Sequence, residues 1–549
     1  MNKIHILHYN KDIHIFTPNL RISQFLYKYK KISNIKLNDT IIKLAGRIIA
    51  FRKMGKLTFL QFYDQTGILQ AMIQENIIGK HLYSSLKQIN VGDIVGIEGT
   101  PFYTKTNELS IKTKNILLLV KNIKLLPEKW HGLSNIEERY RKRYLDLIFN
   151  KKSRSTFILR SLIIDNIRFF LKNDGFLEVE TPILLNISGG ANAQPFKTYH
   201  NTHDEILELR IATEIYLKKL LVGGLDRVYE IGRSFRNEGI STKHNPEFTS
   251  IEFYKTFTSY KDLMLLTENF LLLLIKKIFN KKFFIYNNNI INCATPFKKI
   301  SFIKIVEQYI YSKINKKKIS FIKISIQEII YLSQRFHLTK KEIISTCLSE
   351  IEYIDLLDFI HLYKIKIKTK TINLIFNDFI NKIINTNYKY NLYLLINFIQ
   401  MPKNIKKNYK NKIILILLYK IFEKNIENTI INPTFITELP ITNSPLSDKN
   451  KNNPLIANRF ELFCGGMEIA NAFSEINNSY EQRKRFIYQN QQQNLKKIKS
   501  IIDENFLTTL SYGMSPSAGE GIGIDRLTML ISNNKSIKDV ILFPKMKKI

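Results

Sequence analysis

The stretch RSFRNEGISTKHNPEFTSIEFY, Arg233 to Tyr254, decides how the chain is read. Arg233, Arg236, Lys243 and His244 sit there among Glu238, Glu247 and Glu252, between two short apolar alternations. Gly239 and Pro246 mark a polar turn, so the flanking segments RVYEIGRSFR and EFTSIEFY read as the two strands of a hairpin. Strand alternation puts Phe248, Ser250, Glu252 and Tyr254 on one face of the second strand. It puts Glu230, Gly232, Ser234 and Arg236 on one face of the first, so Arg236 and Glu252 are expected to look into one cavity. A solvated hairpin would not place Phe235 and Phe248 among so many charges, and an arginine on a rigid strand is a fork for phosphate oxygens.

Outward from this hairpin the chain changes style twice. Up to about Pro127 it consists of short strands, IIKLAGRIIAF, KLTFLQFYDQTGILQAMI and VGDIVGIEGTPFYT, separated by turns at Met54-Gly55, Gln65-Thr66-Gly67 and Val91-Gly92-Asp93. That spacing predicts a small barrel of the OB-fold kind over 1–128. From 129 to 549 the pattern is α+β. A long helix, STFILRSLIIDNIRFFLKNDG, ends at Gly175, and strand-like segments from FLEVETPIL to RFELFCGGMEIANAFSE predict an antiparallel sheet flanked by helices. Between about 281 and 431 a lysine–isoleucine–asparagine tract reads as a helical insertion.

The chain has 549 residues, with 83 Lys+Arg against 47 Asp+Glu, and 83 − 47 gives a net charge of +36. That length suggests two or three domains. The charge favours a polyanionic partner, most simply nucleic acid, although A/T-rich coding accounts for tracts such as INKKKISFIKISIQ equally well. The three cysteines, Cys293, Cys347 and Cys464, have no zinc or disulfide spacing, which suits a reducing cytosol. MNKIHILHYNKDIHIF has the pattern of neither a signal peptide nor an organellar presequence, and lysines break apolar runs such as LLLLIKKIF before membrane-spanning length.

The Arg233–Tyr254 run resembles motif 2 of the class II aminoacyl-tRNA synthetases, with lysyl-tRNA synthetases the nearest group in pattern. KNDGFLEVETPIL, with Pro182, is similar to the dimer-forming motif 1, and GEGIGIDRLTML to motif 3. The resemblance covers nearly the whole chain outside the insertion. It implies a cytoplasmic homodimer, not membrane-bound, that joins L-lysine to ATP as lysyl-adenylate and passes it to tRNA(Lys), with Mg2+ on the phosphates. It further implies that Arg236 and Arg526 act on the phosphates, and that Glu238, His244, Asn245, Phe248 and Glu461 complete the ATP site. Gly190, Glu214, Glu252, Tyr254, Asn471, Phe473 and Glu475 would hold lysine, with Tyr254 and Glu475 on its ε-ammonium. In the barrel, Arg52, Phe59, Gln70 and Glu108 would form an anticodon pocket.

Two expectations concern the segment around Gly465-Gly466. A two-residue turn there pairs Phe463 with Glu468 and Glu461 with Ala470, bringing Glu461 and Glu468 together as magnesium ligands. Simple alternation would then put Asn471, Phe473 and Glu475 on the opposite face, so an irregularity is expected near Ile469–Ala470. The segment after motif 2 is longer than in the family, and Glu520 stands where many relatives carry an apolar residue. Three rivals remain. An aspartyl or asparaginyl enzyme needs cations where Glu214, Glu252 and Glu475 stand. A protein-lysylating ligase lacks the barrel. A non-catalytic RNA-binding protein has no need of Arg236, Arg526, Glu461 and Glu468 together.

Overall fold

Alternating apolar residues between Ile42 and Val120 fold as a closed five-stranded barrel: β1 (Ile42–Met54), β2 (Leu57–Tyr63), β3 (Ile68–Gln74), β4 (Ile94–Tyr103) and β5 (Leu109–Val120), in the order β1-β2-β3-β5-β4. The computed structural model describes residues 16–30, 40–124, 133, 135–191, 193–314, 332–339, 403–495 and 502–547. It divides into two compact units, Met1–Ser134 and Asn135–Ile549. The expected boundary at 128/129 lies outside the described residues. Leu44, Ile48, Leu60, Phe62, Leu69, Val95 and Ile97 fill the barrel, and the helix Ile22–Tyr29 adds Ile22 and Phe25 to that core. The β2–β3 turn is held by Asp64, whose carboxylate accepts from Thr66 N at 2.6 Å and Gly67 N at 3.0 Å. Burial alternates along β2, which sets Phe59 on the outer face, half-buried, and not in the core.

The second unit is built on an eight-stranded sheet. Its strands are β6 (Leu177–Glu178), β10 (Arg227–Phe235), β11 (Glu247–Thr256), β14 (Lys298–Ser301), β15 (Thr434–Thr437), β16 (Arg459–Cys464), β17 (Met467–Ser474) and β18 (Ser517–Gly523). They lie in the order β14-β15-β16-β17-β18-β11-β10-β6. The sheet is antiparallel in its interior and parallel at both edges, where β14 joins β15 and β6 joins β10. The short strands β7 (Leu184–Leu185), β8 (Lys197–His200) and β9 (Glu205–Leu209) form a separate three-stranded sheet, and β12 (Phe283–Tyr286) pairs with β13 (Asn289–Asn292).

The expected helical insertion over 281–431 is corrected at its start, since 283–301 carries β12, β13 and the edge strand β14. FFIY buries every second residue, Phe284 and Tyr286, which a strand can use and a helix cannot, and KKIS buries Ile300 alone. Helices follow at Phe302–Ile314 and Lys403–Asn425, while 315–331 and 340–402 lie outside the described residues.

One face of the sheet is covered by the helices Lys151–Asn173 and Tyr260–Phe279. Ile163, Ile167, Phe270 and Leu274 meet Ile251, Phe253, Leu462, Ala472 and Ile522 there. Each such side chain contributes roughly 1.5–3 kcal/mol of burial, which fixes strand register against slippage. The motif-1-like helix starts at Asn150, whose side chain accepts from Lys152 N and Ser153 N, and ends at Asn173 before Gly175. The other face carries two smaller apolar clusters, one around Phe463 and Phe422, one around Tyr254, Leu217 and Phe506. Between them the sheet is left open.

Candidate active site

On that open face lies a cavity of about 470 Å³. The opening hairpin supplies much of its wall. β10 and β11 pair with Glu230 opposite Glu252 and Ser234 opposite Phe248, so the face carrying Phe248, Ser250, Glu252 and Tyr254 points inward. Arg236, just past β10, lines the same cavity, as expected, with its guanidinium 5.0 Å from the centre of the Phe248 ring. Glu230 is diverted from it. Its carboxylate is buried against Arg210 at 2.5 Å and accepts from Thr181 Oγ1 at 2.6 Å, which ties the motif-1-like segment to β10.

At one end of the cavity the charged groups are half-exposed and paired with each other. Arg526 donates to Glu468 Oε2 at 3.1 Å and to its backbone oxygen at 3.0 Å. Its second amino group lies 3.0 Å from His244 Nε2, while His244 Nδ1 lies 2.9 Å from Ser241 Oγ. Partial burial and the adjacent Arg526 cation push the His244 pKa down, so the ring is neutral, with Nε2 accepting from the arginine. Asp525 anchors the start of the Ile524–Ile531 helix by accepting from Thr249 N at 2.8 Å and pairing with Arg160 at 2.5 Å. Glu238 is exposed at the rim; Asn245 is buried and donates to Glu247 O at 2.6 Å.

The other end is dry. Glu214, at the start of the helix Glu214–Val222, is buried and faces Glu252 across the cavity. Burial pushes the Glu214 carboxyl up to about 6, against the pull of Lys218. Burial raises Glu252 as well, opposed by the hydrogen bond it accepts from Thr213 N at 3.3 Å. The Tyr254 hydroxyl donates to Glu252 at 3.4 Å. Two glycines make the approach possible. Gly190 has φ +90 and lies where a Cβ would crowd Glu214 Cβ at 3.1 Å. A Cβ on Gly519 would lie 2.1 Å from the Tyr254 ring and 2.6 Å from Glu475 Oε1.

The β16–β17 hairpin follows the expected irregularity and corrects the expected pairing. Phe463 is opposite Glu468, but Leu462 is opposite Ala470 and Glu461 opposite Asn471, so Ile469 is the extra residue. The bulge turns Glu468, Asn471 and Phe473 to one face, and all three line the cavity. Glu461 and Glu475 are not on its wall. Glu461 is buried, bonded by Arg459 Nη2 at 2.5 Å, with Tyr419 OH 3.3 Å away. Burial pushes it up to about 7 despite Arg459. Glu475 is buried beside Lys218.

Two buried cations here were not singled out from the sequence. Arg459 donates to Asn471 Oδ1 at 2.8 Å and Ser444 Oγ at 2.7 Å, and so orients a cavity residue. Lys218 lies wholly inside, its ammonium 2.5 Å from Glu214 Oε1 and ion-paired with Glu475. Both had a signal. Arg459 alternates with Glu461 in RFE, and Lys218 stands four residues after Glu214 on a helical face with Leu217 and Leu221.

In the barrel, Arg52 is opposite Phe59 in the β1–β2 ladder, and Gln70 lies 3.4 Å from Glu108 and 3.2 Å from Ser110 Oγ. Gln70 and Glu108 therefore meet, with Phe59 on the adjacent strand β2, diagonal to Gln70, and Arg52 one strand further on β1.

A mixed sheet with this hairpin, a following β18–helix unit carrying Arg526, and a preceding OB barrel define a class II synthetase. The family model "tRNA synthetases class II (D, K and N)" matches residues 135–547, and the "OB-fold nucleic acid binding domain" model matches 42–119. The chain is 41% identical over 535 residues to the lysine–tRNA ligase of Wigglesworthia glossinidia brevipalpis, covering 97% of this chain and 94% of that one. It is 40% identical to that of Buchnera aphidicola subsp. Schizaphis graminum, over 97% and 91% of the two chains, and 38% to that of Carboxydothermus hydrogenoformans, over 93% and 90%. The chain belongs to the lysine–tRNA ligase family of class II synthetases. Among the described residues no helix is long and apolar enough to cross a membrane.

Proposed function

We propose that the chain activates L-lysine with ATP to lysyl-adenylate and pyrophosphate, then transfers lysine to the 3′ end of tRNA(Lys), as a cytoplasmic homodimer. The observation that carries this reading is one cavity with Arg526 and Arg236 toward one end and the carboxylates of buried Glu214 and half-buried Glu252 at the other. Attack of a carboxylate on the α-phosphate brings two anions together, and the barrier falls if their charge is met in place. Arg236 lies between the two ends and is assigned the α-phosphate; Arg526 is assigned the γ-phosphate, giving up Glu468 and His244 as partners. Phe248 and Asn245, with Glu238 at the rim, would hold the nucleotide base and sugar.

Glu214 would take the α-ammonium of lysine, and Glu252, Tyr254 and Glu475 its ε-ammonium, with Asn471 and Phe473 along the chain between. Glu475 Oε1 supports this, since it is buried without a hydrogen-bond partner and lies against Gly519 on the cavity floor. No side chain need act as general base, because the nucleophile is already an anion.

A divalent cation fits the phosphate end. Burial and the neighbouring Glu468, Glu423 and Glu461 push Glu427 up to about 8, which is an excess of carboxylate charge that a hard cation relieves. Among the described residues no three metal-ligating side chains converge, so Mg2+ would be held by the triphosphate and by Glu468 on the cavity wall, with Glu461 joining only if it gives up Arg459, which seals it behind that wall. It would screen the phosphates as charge develops on pyrophosphate.

The test is amino-acid-dependent ATP–pyrophosphate exchange with a panel of amino acids. Lysine is expected to stimulate exchange far above aspartate, asparagine or leucine; stimulation by another amino acid in its place would refute the reading. Phe59→Ala addresses the barrel. It should lower the rate of tRNA charging by ~10-fold or more through lost base stacking and leave exchange intact, whereas loss of both would make Phe59 a folding residue.

A further inference from the structure

Lys218 is a charged residue that the reaction as described does not use. It is 0% exposed and lies one layer behind the cavity wall. Its ammonium bonds Glu214 Oε1 at 2.5 Å, pairs with Glu475, and stands 5.5 Å from the centre of the Phe473 ring. Glu475 uses Oε2 for that pair, which leaves Oε1 aimed at Gly519 and Tyr254. A lysine in this position is expensive unless its partners are ionised and fixed.

We propose that Lys218 is a positioning residue that presents Glu214 and Glu475 to the substrate and sets the charge of the amino-acid end to suit an amino acid with two ammonium groups. The proposal rests on the lysine reading above. Burial raises the pKa of Glu214, Glu252 and Glu475, so their charge appears in full only opposite cations; when all three are ionised they carry −3 and Lys218 returns one, and −3 + 1 leaves −2. The α- and ε-ammonium groups of lysine supply +2. An amino acid with one ammonium leaves a buried carboxylate unpaired, which selects against it. The other groups facing this set are Tyr254 beside Glu252 on β11, Arg236 toward Glu252, and Arg459 on β16, whose charge is taken up by Glu461. Burial alone would lower the Lys218 pKa; the two carboxylates outweigh it and keep the ammonium charged. Conversely Lys218 pulls the pKa of both carboxyls down against the effect of burial. Without Lys218 they hold protons to a higher pH and present no charge to the substrate.

The test compares Lys218→Met and Lys218→Gln with the unmodified full chain in lysine-dependent exchange between pH 6 and 9. At pH 7 the KM for lysine should rise ~10-fold or more in both variants, from the loss of one buried ion-pair partner, while the KM for ATP stays within about twofold. The acid limb of kcat/KM for lysine should move up by about one pH unit, so part of the loss is recovered near pH 9. An unmoved acid limb, a KM for ATP that rises in step, or failure of both variants to fold would assign Lys218 to the core alone and overturn the proposal. Failure of the lysine reading itself is distinct, since the unmodified chain would then show no lysine-stimulated exchange.

Discussion

The two ends of the cavity handle charge in opposite ways. At the phosphate end the Arg526–Glu468 pair leaves 23% and 36% of the side chains exposed, and water shares the cost of any rearrangement. At the amino-acid end the side chains of Lys218 and Glu475 are 1% and 0% exposed. Charges there must be paired inside the protein whether or not a ligand is bound. A half-exposed pair can exchange partners when a polyanion arrives, whereas a buried set must be shaped beforehand. The nucleotide end is therefore adaptable and the amino-acid end selective, and specificity belongs at the end where a wrong charge count cannot be solvated.

The strongest way to break that contrast is at Arg236, which serves the reacting atoms between the two ends. Arg236→Ala should slow lysine-dependent exchange by ~10³-fold, the scale of one lost donor to a developing charge. Equilibrium binding of lysine, measured by calorimetry, should change less than about tenfold, because Glu214 and Glu475 keep their pairing with Lys218 and only Glu252 loses a facing cation. Loss of lysine binding in proportion would mean that the two ends are not independent.

Glu475→Gln tests the selective end. It removes the counter-charge of Lys218 and the free oxygen beside Tyr254. The KM for lysine should rise ~100-fold, equivalent to roughly 3 kcal/mol for breaking a buried charge pair, with the KM for ATP nearly unchanged. Equal losses for both ligands would remove Glu475 from amino-acid recognition.

What the sequence disclosed follows the same division. The hairpin faces of Arg236, Glu252 and Tyr254 were legible because period-2 alternation and a Gly–Pro turn leave one register open. The bulge at Ile469 was legible because four expected site residues, Glu468, Asn471, Phe473 and Glu475, had to reach one pocket; its effect on the partner of Glu461 was not, since a bulge shifts every later pairing by one. Burial behind the wall was also hidden. Glu461 and Glu475 were expected on the cavity, yet alternation cannot tell a residue that lines a cavity from one sealed behind it by Arg459 or Lys218. The edge strand β14 was hidden for a different reason. Its four residues pair with β15, which follows 133 positions later, if Ser301 and Thr434 are taken as the ends (434 − 301 = 133), and no local pattern announces so distant a partner.

The weakest expected effect on activation, and the sharpest test of what burial does to a carboxyl, is at Glu520. This residue is on β18 between Gly519 and Gly521, which face the cavity, so its own side chain points to the core behind the sheet. It is 1% exposed, and the hydrogen bonds found for it are to Thr267 Oγ1, at 2.8 and 2.7 Å. That hydroxyl also lies 2.7 Å from Leu263 O, and one hydroxyl hydrogen cannot serve all three oxygens. The carboxyl must then be protonated and donate to Thr267. Burial pushes it up to about 8. In the unfolded chain it returns to about 4.5. The folded pKa is the higher one, so this stabilisation is complete below about pH 4.5 and declines as pH rises to about 8, by about 1.4 kcal/mol per pH unit. Glu520→Gln keeps the bond to Thr267 without an ionisable group. Its urea midpoint should exceed that of the unmodified chain at pH 8.5 and match it near pH 5, while lysine-dependent exchange at pH 7 stays the same. Parallel midpoints across that range would mean that Glu520 is ionised in the fold, and that a carboxylate can be held behind this sheet without the cation that Glu214 and Glu475 require in front of it.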